Sequence, residues 1–302
     1  MNQLNAQDQE KVKKIISYLS PIIEATRESV IKIDLQDIDN DNNSIFTSKV
    51  GGAPYLPPNT RMNKRFTRHK MGFLWQINFE EVPKDATISP LLPQKGILQF
   101  WINITDDIYG VNYDDLLNTE NGKLVYYENI DKSVTLKDIT KRYNLYLEDV
   151  AEKYSWHLEE YPIDITQGLK MNFQTETECL TPYSPQFDDL FREAFFKLFD
   201  VQWHEASGEE FRRRLDINSE VEDAFGELFP YKIGGRYRVK QDDSYKKYPE
   251  YDQLIFYLES DYLIREPNND IMFGDAGVAY WLMRKEDLIN KDFSKYLYNV
   301  DH

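Results

Sequence analysis

The side chains that most often carry out chemistry are scattered along this chain and match no catalytic or metal-binding spacing. Its four histidines, at positions 69, 157, 204 and 302, form no HExxH pair. Cys179 is the single cysteine and lacks the local signature of a nucleophile, so we interpret it as a buried structural thiol. No G-x-S-x-G elbow occurs. We therefore predict no catalytic residue, no metal and no cofactor.

The acidic side chains give one candidate metal loop. Asp37, Asp39 and Asp41 have the D-x-D-x-D spacing that opens an EF-hand. An EF-hand also needs glycine at its sixth position and glutamate at its twelfth, and this chain has Asn42 and Ser48 there. With 52 acidic residues in the chain, short clusters of this kind are inevitable. We interpret the segment as a solvated turn.

A carboxylate between glycines forms a second candidate, in the segment Gly274, Asp275, Ala276 and Gly277. Asp275 could bind a cationic group of a ligand. It could also accept backbone N–H bonds and stabilise a turn, which is a common use of aspartate beside glycine. We favour the structural turn.

One segment is unusual in its charge. Residues 42–79 contain six basic residues and no acidic one, in a chain whose net charge is −16. Most of these charges lie in residues 59–72, between a proline run and an apolar run, which predicts an exposed loop. The candidate contact surface consists of Arg61, Lys64, Arg65, Arg68 and Lys70. It would meet an acidic partner or a phosphate group; the alternative is that the protein's own carboxylates neutralise it.

Composition narrows the class of protein. The 302 residues suffice for one large domain or two ordinary ones. The negative net charge argues against nucleic acid or an anionic membrane as the main partner, because both reward a basic surface. The single cysteine excludes an internal disulfide and fits a reducing compartment. Since neither a signal peptide nor an apolar run of membrane length is apparent, we expect a cytoplasmic protein.

The chain repeats three motifs in the same order. Residues 49–52, KVGG, recur as 232–235, KIGG, with an offset of 183. The apolar runs that begin at Phe73 and Gly96 recur at Leu254 and Gly277, each with an offset of 181. This constant spacing predicts two similar halves. Because glycine accepts positive φ, we assign turns to the four repeated glycines. These are Gly51, Gly52, Gly234 and Gly235.

Local patterns predict the remaining elements. Apolar residues at helical spacing predict a helix over 6–24, which Pro21 should kink or shorten. Ser184 and Pro185 predict the start of another helix, and residues 219–222 have the pattern of a capping box. We divide the chain into an N-terminal helix at 1–30, a first β repeat at 31–183, a central helical segment at 184–229 and a second β repeat at 230–302. The two repeats should form one compact body.

Several segments resemble the YwqG-like family of bacterial proteins. Residues 49–57, KVGGAPYLP, are similar to the opening motif of that family. Residues 73–79, FLWQINF, resemble its FLAQINF strand, and residues 92–100, LPQKGILQF, resemble its LPKKGLLQF segment. The segments 274–277 and 291–294 fit its C-terminal pattern. Trp75 stands where the family often has alanine, and the tryptophan–proline pair that usually follows the proline run is missing.

The resemblance implies a fold and a kind of function. The family is similar to the eukaryotic programmed-cell-death-2 group, whose members act as dedicated chaperones in ribosome maturation. The implied fold is α+β and mainly β: an internally duplicated sheet or barrel-like module with strands exchanged between the copies, plus N-terminal and central helices. Since no catalytic residues are established for the family, none are carried over.

We expect a protein-binding or chaperone-like module without catalysis, whose partner is another protein. Two alternatives stay open. Some bacterial relatives lie near toxin genes, which suggests an immunity protein that neutralises a toxin, and the acidic surface would suit a basic nuclease. A hydrolase that uses scattered carboxylates is the other alternative.

Overall fold

The protein is described by a computed structural model, which covers residues 4–38, 41, 44–58, 60, 71–159, 161–165, 167–203, 207–226, 228–238, 244–260 and 271–301. Within these ranges the chain forms ten strands and six α-helices. The strands are β1 (Glu28–Asp37), β2 (Lys49–Gly51), β3 (Met71–Asn78), β4 (Ile97–Asn103), β5 (Gly122–Tyr127), β6 (Gly168–Glu178), β7 (Tyr231–Ile233), β8 (Gln253–Glu259), β9 (Val278–Met283) and β10 (Leu297–Asp301). The helices are α1 (Ala6–Glu24), α2 (Leu136–Glu159), α3 (Pro185–Phe199), α4 (Gly208–Glu222), α5 (Ser244–Lys247) and α6 (Lys285–Ile289).

The ten strands form one sheet in the order β10-β9-β8-β7-β1-β6-β2-β3-β4-β5, and all paired neighbours are antiparallel. The order has the same plan from both ends: a four-stranded meander, then one central strand. β1 precedes β2 in the chain but pairs with β7, whereas β6 precedes β7 but pairs with β2. The mainly β prediction is therefore confirmed.

Strand register repeats between the two ends of the sheet. Lys49 of β2 lies opposite Gln76 of β3, and Lys232 of β7 lies opposite Tyr257 of β8. The pairing of β3 with β4 shifts register just before Trp75, and that of β8 with β9 shifts at the corresponding place. The offsets of 181 and 183 residues seen in the sequence thus recur in the way the strands pair.

The sheet is nearly closed and barrel-like, because the two four-stranded meanders at its ends face each other across an aromatic cluster. The rings of Trp75 and Phe256, from β3 and β8, lie 4.8 Å apart between centroids. Those of Phe100 and Trp281, from β4 and β9, lie 4.9 Å apart. Near the seam, the Tyr296 hydroxyl donates a 2.9 Å hydrogen bond to a backbone oxygen of β5. Buried aromatic contacts of this kind contribute much of the stability of a core.

A second, smaller hydrophobic cluster lies between α1, α3 and α4. It includes the fully buried side chains of Ile15, Leu19, Phe191 and Val221. Asp8 of α1 is also buried, and it accepts a 2.7 Å hydrogen bond from a guanidinium N–H of α4. The N-terminal helix and the central helical segment, which we predicted as separate segments, therefore pack on each other. None of the described helices has a stretch long and apolar enough to cross a membrane.

The local predictions about these helices have different outcomes. α1 continues through Pro21 to Glu24, so the proline lies in the last turn without cutting the helix short. α3 begins at Pro185 as predicted, although Ser184 makes no side-chain capping bond. The capping box at 219–222 is wrong, because these residues form the last turn of α4. Packing of Val221 in the helical cluster outweighs the local start signal, since most helix stability comes from tertiary contacts.

Candidate functional site

An open cleft of about 810 Å³ lies beside the second Gly-Gly turn. Its walls come from segments that are distant in sequence. They are the first residue of β1, the turn at 87–91, Gln186 at the start of α3, the turn at 234–237 after β7, the stretch 248–254 that leads into β8, and Lys285 at the start of α6. The sheet order brings them together, because β7 lies between β1 and β8. The cleft therefore depends on the long-range pairing of the sheet.

The floor of the cleft requires glycine at position 235. Gly235 has a φ of +72°, and a Cβ there would lie 2.1 Å from Glu178 Oε1 and 2.5 Å from Val30 Cγ1. Any side chain would clash as well as strain the backbone. This close approach lets the backbone N–H of Arg236 donate a 2.7 Å hydrogen bond to Glu178. The tight turn thus places Arg236 and Tyr237 at the cleft.

A buried ion pair lies beneath this turn. Lys232 Nζ is 2.5 Å from Glu178 Oε2, and both side chains are almost completely buried. Burial lowers the pKa of Lys232, and the adjacent Glu178 carboxylate partly offsets that effect. Removing one member of such a pair leaves an uncompensated charge in the interior. The pair is therefore a structural support of the turn rather than a group free to bind a ligand.

Arg236 is held against the wall of the cleft. Its Nη1 lies 2.8 Å from Glu28 Oε1, although the angle is too poor for an aligned hydrogen bond, and its Nη2 donates to Thr26 O at 3.1 Å. Burial raises the pKa of Glu28, and the Arg236 guanidinium opposes that shift. Because the two charges cancel, this wall offers a ligand no strong net charge.

The rest of the lining combines aromatic and aliphatic side chains with the polar ones of Thr87, Gln186 and Gln253. Tyr248 and Tyr251 lie with ring centroids 6.3 Å apart and planes at 86°. Tyr237 and Tyr248 are half-buried, so parts of their rings face the cleft. Two exposed charges of opposite sign, Asp252 and Lys285, complete the described lining. Such a surface can hold a ligand by stacking and apolar contact.

The first Gly-Gly turn has a different environment. Gly51 and Gly52 also have positive φ, +69° and +71°, but this turn is preceded by a buried lysine without a buried carboxylate partner among the described residues. Lys49 Nζ donates to the carbonyl oxygens of Ser44, at 2.7 Å, and Ala53. Burial lowers the pKa of Lys49 to about 7. Corresponding lysines are therefore stabilised in two ways, by a carboxylate at Lys232 and by backbone carbonyls at Lys49.

The other predicted site residues fall into two groups. The five basic residues of the candidate contact surface, at 61, 64, 65, 68 and 70, lie outside the described residues. Gly274 has a φ of +54° in a turn where Asp275 is exposed, and the Gly277 N–H donates a 2.7 Å bond to Phe273 O. No group of three or more potential metal ligands occurs among the described residues.

Sequence reasoning missed the residues of the cleft. Arg236 and Tyr237 directly follow the repeated glycines, and this adjacency was the only local signal for them. No sequence pattern indicated that Tyr248 or Lys285 would line a cleft. The interpretation of Cys179 as buried also needs correction, since this thiol is partly exposed and its Sγ lies 3.9 Å from Glu24 Oε2. Partial burial raises its pKa, which reduces the fraction of reactive thiolate.

These features define a mainly antiparallel β protein with a helical layer and an open, aromatic-lined cleft. The chain belongs to the family described as a domain of unknown function, DUF1963, whose family model matches residues 48–301. This membership is compatible with the resemblance to YwqG-like proteins. The match begins just before β2 and ends with β10, so it includes both Gly-Gly turns and the cleft lining apart from Glu28. No curated protein matches the chain.

Proposed function

We propose that this protein binds another protein through the cleft and does not catalyse a reaction on it. The observation that carries the proposal is the combination of an open cleft of about 810 Å³ with an Arg236–Glu28 ion pair in its wall and a Lys232–Glu178 ion pair beneath it. What remains available to a ligand is a mixed surface, in which tyrosine, proline and aliphatic side chains alternate with polar ones such as Thr87, Gln186 and Gln253. Aromatic side chains of this kind dominate the energetics of protein interfaces.

The carboxylates of the cleft support binding over hydrolysis. Hydrolysis by paired carboxylates needs one acid and one base directed at the same bond. Glu28 is neutralised by Arg236, while Asp252 is exposed and accepts a 2.9 Å hydrogen bond from the neighbouring Gln253 side chain. These contacts hold each carboxylate to a side chain of the protein itself, which supports binding over acid–base chemistry.

We also propose that the two halves are copies of one module that exchanged a strand. Three observations support this history: the symmetric strand order, the matching register shifts in β3 and β8, and the buried lysines at equivalent positions. The domain limits given above follow from this proposal. We further propose a YwqG-like assignment, with its relation to the programmed-cell-death-2 group, and a cytoplasmic location, which the single cysteine supports.

Site-specific photocrosslinking in the native host tests the proposed function. Benzoylphenylalanine would replace Tyr248 in the cleft or, as the control, Tyr18 on α1, which is also half-buried but does not line the cleft. Mass spectrometry would then identify the crosslinked proteins. We expect one polypeptide to be captured from position 248 and not from position 18. Its identity would separate a chaperone client from a toxin, and equal capture from both positions, or none, would contradict the proposal.

A further inference from the structure

We propose that the cleft recognises an extended peptide segment in which a proline follows an aromatic residue. The proposal rests on the proposed function and names the chemical class of the partner's binding segment. It comes from comparing the cleft with the corresponding place in the other half of the molecule. That place is occupied by a segment of the protein's own chain.

Strand register defines the corresponding positions. Gly51 corresponds to Gly234, since both follow the buried lysine and the strand residue after it. Gly72 lies opposite Ile102 in the β3–β4 pair, and Gln253 lies opposite Met283 in the β8–β9 pair, each 181 residues later. Gly234 and Gln253 both line the cleft. A ligand in the cleft would therefore lie where the residues next to Gly51 and Gly72 lie in the first half.

In the first half, residues 161–165 and 167 cover both of these glycines. A Cβ on Gly72 would lie 2.9 Å from the Tyr161 hydroxyl oxygen. A Cβ on Gly51 would lie 3.4 Å from Ile163 Cδ1 and 2.4 Å from the carbonyl oxygen of residue 167. Between them, Pro162 accepts a 2.8 Å backbone hydrogen bond from the N–H of residue 272. The protein thus holds its own Tyr-Pro-Ile segment against this surface.

In the second half, this place is partly open. The atoms nearest to Gly234 belong to Ile88. A Cβ built on this glycine would lie 2.9 Å from Ile88 Cγ2. Ile88 is itself part of the cleft wall, and beyond it the space continues past Gln253 to Lys285. Lys285 corresponds to Ile104 in the first half, where that side chain packs beside Gly72. The cleft is therefore the counterpart of a filled peptide site.

The chemistry of the lining fits the same kind of occupant. Glu28 and Arg236 neutralise each other, and Asp252 and Lys285 have opposite charges, so the described lining has no net charge with which to select a strongly charged ligand. Tyrosine rings with prolines nearby bind proline-containing segments well, because an extended polyproline-type chain is already stiff and loses little entropy. Tyr237, Tyr248 and Tyr251 provide these rings, and Pro90 and Pro249 lie beside them.

One difference between the halves limits the depth of binding. Gly72 has no side chain, which is why Tyr161 can approach it closely, whereas Gln253 carries one. An aromatic residue of the ligand would therefore lie nearer the mouth of the cleft than Tyr161 lies in its own site. Contact with the half-buried Tyr248 ring would then carry more of the binding, which makes Tyr248 the residue to vary.

The test uses the protein's own segment as the probe. A capped peptide of residues 161–165, Tyr-Pro-Ile-Asp-Ile, would be titrated by calorimetry into the full-length protein, together with analogues that carry Tyr161→Ala or Pro162→Ala. We expect saturable binding of the parent peptide and about tenfold weaker binding of each analogue. Tyr248→Ala in the protein should weaken binding of the parent peptide by about tenfold, and the matched Tyr18→Ala should leave it unchanged.

The outcomes separate this inference from the proposed function. Three results would overturn the inference. They are failure of the parent peptide to bind, equal binding of all three peptides, and unchanged binding of the parent peptide by the Tyr248→Ala protein. The proposed function would survive that result if photocrosslinking from position 248 still captured a protein. Since Tyr248 is only half-buried, both tyrosine variants should fold, and thermal unfolding of each checks this directly.

Discussion

Replacing Lys49 with methionine should remove a specific pH dependence from the stability of this protein. The side chain is 1% exposed, and its amine donates to two backbone carbonyl oxygens, those of Ser44 and Ala53. A neutral amine still has two N–H groups, so both hydrogen bonds survive deprotonation. Burial can therefore lower the pKa to about 7 without costing these bonds.

The direction and size of the effect follow from the two pKa values of Lys49. The pKa is about 7 in the folded protein and 10.5 when unperturbed, so between these values the unfolded chain binds more protons. The free energy of unfolding should consequently rise with pH across this window and change little below pH 7. The full shift corresponds to about 5 kcal/mol, of which about 3 kcal/mol appears between pH 7 and pH 9.5.

Urea unfolding followed by tryptophan fluorescence measures this contribution. The wild-type protein and Lys49→Met would each be unfolded at pH 7 and pH 9.5, and the change in unfolding free energy would be compared between them. The comparison removes the effects of other titrating groups, which the two proteins share. We expect the change to be about 3 kcal/mol more favourable in the wild type. Identical changes would show that Lys49 stays protonated in the fold and would refute the reasoning.

Lys232→Met is the matched control, because Lys232 has the corresponding place in β7. Its amine is paired with Glu178, so methionine would leave a buried carboxylate without its partner. That loss should destabilise the protein by about 3–5 kcal/mol at pH 7. The two variants thus separate a lysine buried among carbonyl groups from a lysine buried in an ion pair.

Three further predictions concern the turn, the core and the basic segment. Gly235→Ala should destabilise the protein by more than about 1 kcal/mol in urea unfolding, because it combines left-handed strain with a clash against Glu178; an unchanged midpoint would contradict this. Trp75→Ala should lower the free energy of unfolding by about 3–5 kcal/mol in the same assay, since the ring is fully buried between the two four-stranded meanders. A loss below about 1 kcal/mol would show that the two meanders do not pack on each other there. Reversing Arg65 and Arg68 to glutamate should leave thermal unfolding nearly unchanged and slow partner association several-fold at low salt; an association rate that ignores the reversal would rule out this surface.

The amino-acid sequence by itself determined which segments become the long core strands. The runs at 73–79 and 97–103 are mostly apolar and contain no charged residue, which is typical of strands covered on both sides, and they became β3 and β4. Their partners 181 residues later became β8 and β9. The repeated glycines likewise marked the turns that end β2 and β7, because positive φ is a local property of the backbone. Information of this kind lies within a few neighbouring residues.

The tertiary structure alone decided how these segments meet. β1 pairs with β7 across about two hundred residues, through Ile31 opposite Ile233, and no local pattern encodes the choice of partner. Together with the pairing of β1 and β6, it creates the Lys232–Glu178 ion pair and brings Arg236 against Glu28 at the cleft. Packing between helices also decided the extent of α4, because burial of Val221 against the other helices outweighed a capping motif. Contacts between distant segments depend on the summed packing of the whole chain, so the cleft could emerge only once the sheet had formed.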